Sequence, residues 1–160
     1  MLNLLDLHTF IVKKYKREDH LYREEITKNL LYTLIYEVLQ LLSSYKITTN
    51  GKALTRSEEL LTQFIGLLFQ FHSQERSVKF YADKMSLTPK YLSKKVREAS
   101  GKSVSQWIDE MVIMEAKAML KSSNLTVLQI SEKLNFPNAS FFGSYFKKRT
   151  GISPIQYRES

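Results

Sequence analysis

The chain contains no cysteine. That excludes disulfides, thiolate nucleophiles and thiolate-bound metal. Its histidines, His8, His20 and His72, are scattered, without metal-ligand spacing or a paired base, and read as surface or capping residues. There is no glycine-rich phosphate loop. No enzyme activity, cofactor or metal is therefore expected. No apolar run approaches the roughly eighteen residues that a membrane span needs. The start lacks the basic, apolar and small-residue order of a signal peptide, so the expected compartment is the cytoplasm, with no membrane partner. No β-strand of any length can be placed either, which leaves an all-α chain.

What the chain does have is positive charge, unevenly placed. Of 160 residues, 43% are apolar, enough for a core, and the net charge is +8. Residues 78–160 hold 14 Lys and Arg against 7 Asp and Glu, or +7; residues 1–77 hold 10 against 9, or +1. The excess lies in the C-terminal half, which points to an anionic partner such as nucleic acid.

That half also repeats itself. Asp83-Lys84-Met85 matches Glu132-Lys133-Leu134 at an offset of 49, as Leu87 matches Phe136. After one extra residue the offset is 50: Leu92 pairs with Phe142, Val96 with Phe146, Gly101 with Gly151, Ser103 with Ser153 and Trp107 with Tyr157. Two copies are too few for a solenoid. The caps explain them better. Thr126 and Gln129 form a capping box, with Leu125 and Ile130 placed as a hydrophobic staple. A turn at Asn135–Asn138 follows, Asn138 caps a second helix, and Gly151 stops it. In the first copy a helix near Val78–Met85 leads to the turn Ser86-Leu87-Thr88. Thr88 then caps a helix with Pro89 at its first position and Gly101 at its end. Each copy is thus a helix-turn-helix, a motif whose second helix fits a DNA major groove. Ser103 with Gln106 caps a long middle helix, about 104–122, and Ser153, Pro154 and Gln156 open a short last one.

The two second helices divide by face. Leu92, Val96 and Ala99 face inward, and Lys90, Ser93, Lys94 and Arg97 face outward. Phe142 and Phe146 pack inward; Ser140, Gly143, Ser144 and Lys147 lie opposite, with Lys148 and Arg149 at the basic end. Trp107 is read as core, and Phe141 as partly core.

The N-terminal part is helical and weakly charged. Residues 3–16 carry Leu4, Leu5, Leu7, Phe10 and Ile11, then Lys13, Lys14, Lys16 and Arg17 at the helix end, where cations are favoured. Asp19 is placed to cap the next helix. Residues 20–45 form a long helix whose stripe of Ile26, Leu30, Leu31, Leu34, Val38, Leu41, Leu42 and Tyr45 suits either a dimer seam or intrachain packing. Residues 46–53 read as a turn-rich linker. Thr55 and Glu58 make another capping box for a helix to about Ser73, with Gly66 inside it.

From about Ser77 to Arg158 the sequence resembles the DNA-binding domain of the AraC/XylS family of bacterial transcription regulators. The resemblance is carried by Ala116-Lys117 with Leu120, Ile130-Ser131, Phe136, Ser140-Phe141-Phe142, Phe146-Lys147-Lys148, Gly151-Ile152-Ser153-Pro154 and Tyr157-Arg158. Two positions depart: the family usually has glycine where Asn135 stands, and often arginine near Val112. Asn tolerates positive φ, so the turn is expected to survive. The resemblance implies a tandem helix-turn-helix domain over 77–160, two three-helix units joined by a long middle helix. A linker helix at 55–76 and a helical segment at 1–54 precede it. It implies double-stranded promoter or operator DNA as the partner, with RNA polymerase as a further one. It also tilts residues 20–45 towards a homodimer seam. Lys94 and Arg97 are the candidates for base contacts, with Lys90 and Ser93 one turn earlier. Ser140, Gly143, Ser144 and Lys147 map onto the family's DNA-facing positions, and Lys148 and Arg149 are expected at phosphates. Full-length relatives usually carry an N-terminal β-barrel for a small effector. The chain has no room for one, so the expectation is either a C-terminal fragment or truncated product of a longer regulator or a short form. The fragment is favoured because residues 20–45 look like the tail of a larger dimerising domain.

The alternative reading is a helical protein-interaction module with a basic surface, which would bind DNA weakly and without sequence preference. A single-strand binder would need exposed aromatics in the basic face, and only Tyr91 and Phe141 qualify.

Overall fold

The computed structural model describes residues 4–15, 21–50 and 55–160. Among them the structure is helical, with no strand. The helices are α1 (Leu4–Tyr15), α2 (Arg23–Asn50), α3 (Arg56–Phe71), α4 (Val78–Lys84), α5 (Pro89–Ser100), α6 (Val104–Ser122), α7 (Val127–Lys133), α8 (Ala139–Thr150) and α9 (Pro154–Glu159). They fall into two compact units, Met1–Thr62 and Gln63–Ser160.

In the first unit α1 packs on α2 and buries Leu7, Ile11 and Thr27. One expectation fails here. The linker read at residues 46–53 is helical as far as Asn50, because α2 runs on through Thr48 and Thr49. Ile, Thr and Asn each cost a helix less than about 0.7 kcal/mol, and a helix already formed gains a bond for each residue it adds. Turn-forming residues in a string do not outweigh that. Lys16, Arg17, Asp19 and residues 51–54 lie outside the described residues, as do the side chains of Leu4, Leu5, Leu42 and Tyr45. At the start of α3 the Thr55 hydroxyl accepts from the Glu58 N–H at 3.3 Å and the Thr55 N–H donates to the Glu58 carboxylate at 2.9 Å. This is the capping box that the spacing predicts.

The second unit has a core at each half of α6. One gathers Tyr81, Ala82, Leu92, Val96, Val104 and Ile108, all at most 1% exposed, with Phe64 of α3 meeting Tyr81 edge-on at 5.5 Å. The other gathers Ile113, Ala116, Leu120, Ile130, Leu134, Phe142 and Phe146. Fully burying an aliphatic or phenyl side chain contributes about 1.5–3 kcal/mol, so the inward rows of α5 and α8 fix which face is left outside. Leu125 packs against the second core beside Ile130, completing the staple.

The sequence repeat is also a repeat of backbone hydrogen bonds. In the first turn Ser86 N–H reaches Asp83 C=O at 3.0 Å and Leu87 N–H reaches Ala82 C=O at 2.9 Å. In the second, Asn135 N–H reaches Glu132 C=O at 2.9 Å and Phe136 N–H reaches Ser131 C=O at 2.8 Å. Both helices end in the same motif, with the residue after the cap in the left-handed region: φ is 55° at Ser86 and 52° at Asn135. Asparagine holds the turn where glycine is usual, as expected. Serine at Ser86 is the less comfortable occupant.

Candidate nucleic-acid interface

Each recognition helix is set by its own cap. The Thr88 hydroxyl accepts from Tyr91 N–H at 3.2 Å, and Asn138 Oδ1 accepts from Phe141 N–H at 2.9 Å. Gly101 and Gly151 end the helices at φ 73° and 86°. With Leu92, Val96, Phe142 and Phe146 fully buried, helical geometry turns the polar rows outward.

On α5, Lys90, Lys94 and Arg97 are exposed and Ser93 is half-buried. Lys94 stands 3.9 Å from Glu98, while Lys95 holds the same carboxylate at 2.8 Å. That bond raises the Lys95 pKa above its usual value. Lys95 therefore neutralises Glu98 and leaves Lys94 loosely held. On α8, Ser140, Ser144, Lys147 and Lys148 are exposed and Gly143 is half-buried. Beyond the backbone of its own helix and its chain neighbours, a methyl group added at Gly143 would meet nothing within 4 Å. Glycine inside a helix costs about 1 kcal/mol relative to alanine, and no neighbour within the chain requires it here. The open strip over Gly143 is a feature of the outer surface alone.

Two side chains depart from expectation, and a third has an intrachain partner that the sequence did not suggest. Arg149, expected at a phosphate, donates to Asp109 of α6 at 2.7 Å and lies 3.4 Å over the Tyr145 ring. The Tyr145 hydroxyl donates to the other Asp109 oxygen at 2.6 Å, and burial, reinforced by that bond, pushes its pKa well above the usual tyrosine value. Arg149 thus fastens α8 to α6. Phe141, read as partly core, is 64% exposed on the flank of α8, because the inward face is already filled by Phe142 and Phe146. His72, read as surface or cap, is 6% exposed: its Nδ1 faces Leu68 C=O at 2.9 Å and its Nε2 meets the Glu115 carboxylate of α6. Trp107 is half-buried, its indole N–H donating to Ser100 at 3.0 Å. Arg76, which no motif singled out, reaches the second turn; its only sequence signal was its place just before the first helix-turn-helix. Among the described residues no three His, Asp or Glu side chains cluster to hold a metal, and no helix is long and apolar enough to cross a membrane.

A family model described as a helix-turn-helix domain matches residues 81–160. The chain is 25% identical over 125 residues to the HTH-type transcriptional activator RhaR of Escherichia coli strain K12. That alignment takes in 78% of this chain and 44% of RhaR, so the chain spans less than half the length of the curated relatives it matches. Among solved structures, the C-terminal domain of AraT, a response regulator from Geobacillus stearothermophilus, superposes with a TM-score of 0.61 at 24% identity, over 66% of this chain and 88% of that one. The C-terminal domain of the two-component response regulator YesN from Fusobacterium nucleatum gives 0.57 at 24%, over 65% and 99%. The DNA-binding domain of AdpA, solved in complex with a target DNA, gives 0.56 at 18%, over 62% and 89%. These structures share the fold of the second unit.

Proposed function

We propose, since the chain belongs to the AraC/XylS-type helix-turn-helix family, that it regulates transcription by reading two successive major-groove segments of double-stranded DNA. The observation that carries this is the duplicated capped helix with a polar outer row. Both copies bury two apolar residues and turn small or cationic ones outward. The helix between them, α6, has 19 residues and is about 28 Å long at 1.5 Å per residue. Two recognition helices packed along one helix of that length suit groove segments one DNA turn apart, about 34 Å. A basic protein-docking module would not need that duplicated geometry.

In this reading Lys94 and Arg97 contact base edges, Arg97 as a fork for guanine, worth about 1–3 kcal/mol of discrimination. Lys90 and Ser93 work at the entering end of α5. Ser140, Gly143 and Ser144 let α8 sit close to the groove, and Lys147 and Lys148 meet phosphates. The setting is promoter or operator DNA in the bacterial cytoplasm, beside RNA polymerase.

A second copy of the chain is the partner for residues 20–45. At 12 residues against 28, α1 is about 18 Å long and α2 about 42 Å, so α1 covers less than half of α2. Leu31, Val38 and Leu41 remain exposed. Sedimentation of Val38→Glu/Leu41→Glu should give a monomer where the wild type gives a dimer; a monomeric wild type would remove the seam.

The direct test of DNA reading is selection from a random duplex library at about 150 mM salt, with Arg97→Ala alongside. Enrichment of two patches about ten base pairs apart, one of them lost in the variant, is the expected result. Unchanged discrimination in the variant would remove Arg97 from base reading. Salt-sensitive binding without any enrichment would favour the basic docking module.

A further inference from the structure

The two readers are joined by more than α6. Between α3 and α4 the chain passes through Gln74, Glu75 and Arg76, and this short strap crosses the turn of the second helix-turn-helix. Arg76 donates one guanidinium N–H to Leu134 C=O at 2.6 Å and another to Asn135 C=O. Its guanidinium lies 3.9 Å over the Phe136 ring. Asn135 answers, donating its side-chain N–H to Gln74 C=O at 2.8 Å. Leu134 and Asn135 are the cap and the next residue of α7, where helix carbonyls lack partners and a cation is favoured.

Among the described residues the first copy shows no counterpart. Among the described residues no side chain is seen to donate to the matching carbonyls of Met85 and Ser86, and the Ser86 side chain carries no amide to reach back with. The repeat thus breaks its symmetry at the point where the strap binds. The contact continues beyond the turn. Phe136 meets Tyr145 of α8 at 5.0 Å, and Tyr145 and Arg149 are both fastened to Asp109 of α6. At the other end of the strap His72 is held against Glu115, again on α6.

We infer that Arg76 and Asn135 form a latch: the strap that leads into the first helix-turn-helix grips the turn of the second and holds α8 at a set position relative to α5. Arg76 is a positioning residue, outside the rows of α5 and α8 proposed to meet DNA. The inference rests on the two-groove reading only in its consequence for binding. A latched pair behaves as one preorganised bivalent reader, and loosening it lowers the effective concentration of the second helix at its patch.

The chain lacks cysteine, so spin labels can be placed uniquely, at Asp83→Cys and Glu132→Cys. These residues are exposed repeat equivalents on α4 and α7. Pulsed dipolar spectroscopy on the free protein should show one narrow distance distribution in the otherwise wild-type chain and a broad one in Arg76→Ala. Should Arg76→Ala not fold, Asn135→Gly loses the bond to Gln74 while easing the positive φ, and should broaden the distribution as well. Unchanged distributions in these variants would overturn the latch. On DNA, Arg76→Ala should bind a two-patch duplex about tenfold or more weaker yet tolerate an inserted base pair between patches, and should bind a single first patch like wild type. Equal losses on both duplexes would overturn the latch. Broadened distances in a protein that selects no sequence would leave the latch standing and remove the DNA reading.

Discussion

Gly143→Ala separates what the fold asks of α8 from what a partner asks. In the free protein the substitution removes the helix penalty of glycine, about 1 kcal/mol. Beyond the backbone of its own helix and its chain neighbours the new methyl meets no atom within 4 Å, so no repacking cost offsets the gain. For a domain of this size 1 kcal/mol raises Tm by about 4–8 °C, and a rise of several degrees is expected by circular dichroism. In the complex the same methyl stands on the outward strip between Ser140, Ser144 and Lys147, where the backbone is proposed to approach the groove. Displacing α8 there should cost a share of its base discrimination, about 1–2 kcal/mol, or roughly a five- to thirtyfold loss of affinity. Fluorescence anisotropy with the selected duplex measures it. A variant that is stabilised and binds unchanged would refute the proposed role of Gly143. A destabilised variant would refute the open space on which the reasoning starts.

Lys148→Ala should weaken binding by a similar factor on every duplex and flatten the salt slope by about one unit; a wild-type slope would place Lys148 away from phosphate. Tyr81 and Tyr145 are both held well above the ordinary tyrosine pKa of 10.0, chiefly by burial. The protonated form is therefore favoured by the folded state, so their contribution is complete below about pH 10 and is lost as pH rises further. Urea midpoints should fall less between pH 9 and 11.5 in Tyr81→Phe/Tyr145→Phe than in wild type, after a loss at neutral pH of about 1 kcal/mol for each hydroxyl bond removed. Ser86→Gly should stabilise the chain by about 1 kcal/mol, because glycine occupies φ 55° without the Cβ penalty; a neutral or negative change in chemical denaturation would count against strain at that turn.

Several elements could be read from the string because their causes are local. Thr88, Ser103, Thr126, Asn138 and Ser153 each accept from an N–H three residues on, and Gly101 and Gly151 carry their own left-handed backbone. Such signals need no knowledge of the rest of the fold. The end of α2 was misread for a related reason: Thr48, Thr49 and Asn50 favour turns only where no helix is already running into them. Phe141 was misread because it stands next to buried Phe142 in sequence, yet one residue along a helix turns about 100° away from the inward row. The candidate face on α5 and α8 was legible once Leu92, Val96, Phe142 and Phe146 were recognised as the buried side.

The sequence by itself determined the helices, their caps, the doubled helix-turn-helix and the side of each recognition helix that meets solvent, since these follow from periodicity and contacts three or four residues apart. Only the tertiary structure decided which charged groups are tied to a distant partner. Arg149 pairs with Asp109 at the surface, His72 with Glu115 inside, and Arg76 with a turn 58 and 59 residues further along the chain. A lone arginine or histidine has the same local appearance whether it faces water or a distant carbonyl. Which of these it meets is set by how α3, α6 and α8 pack, and that packing comes from the summed burial of both cores rather than from any one stretch.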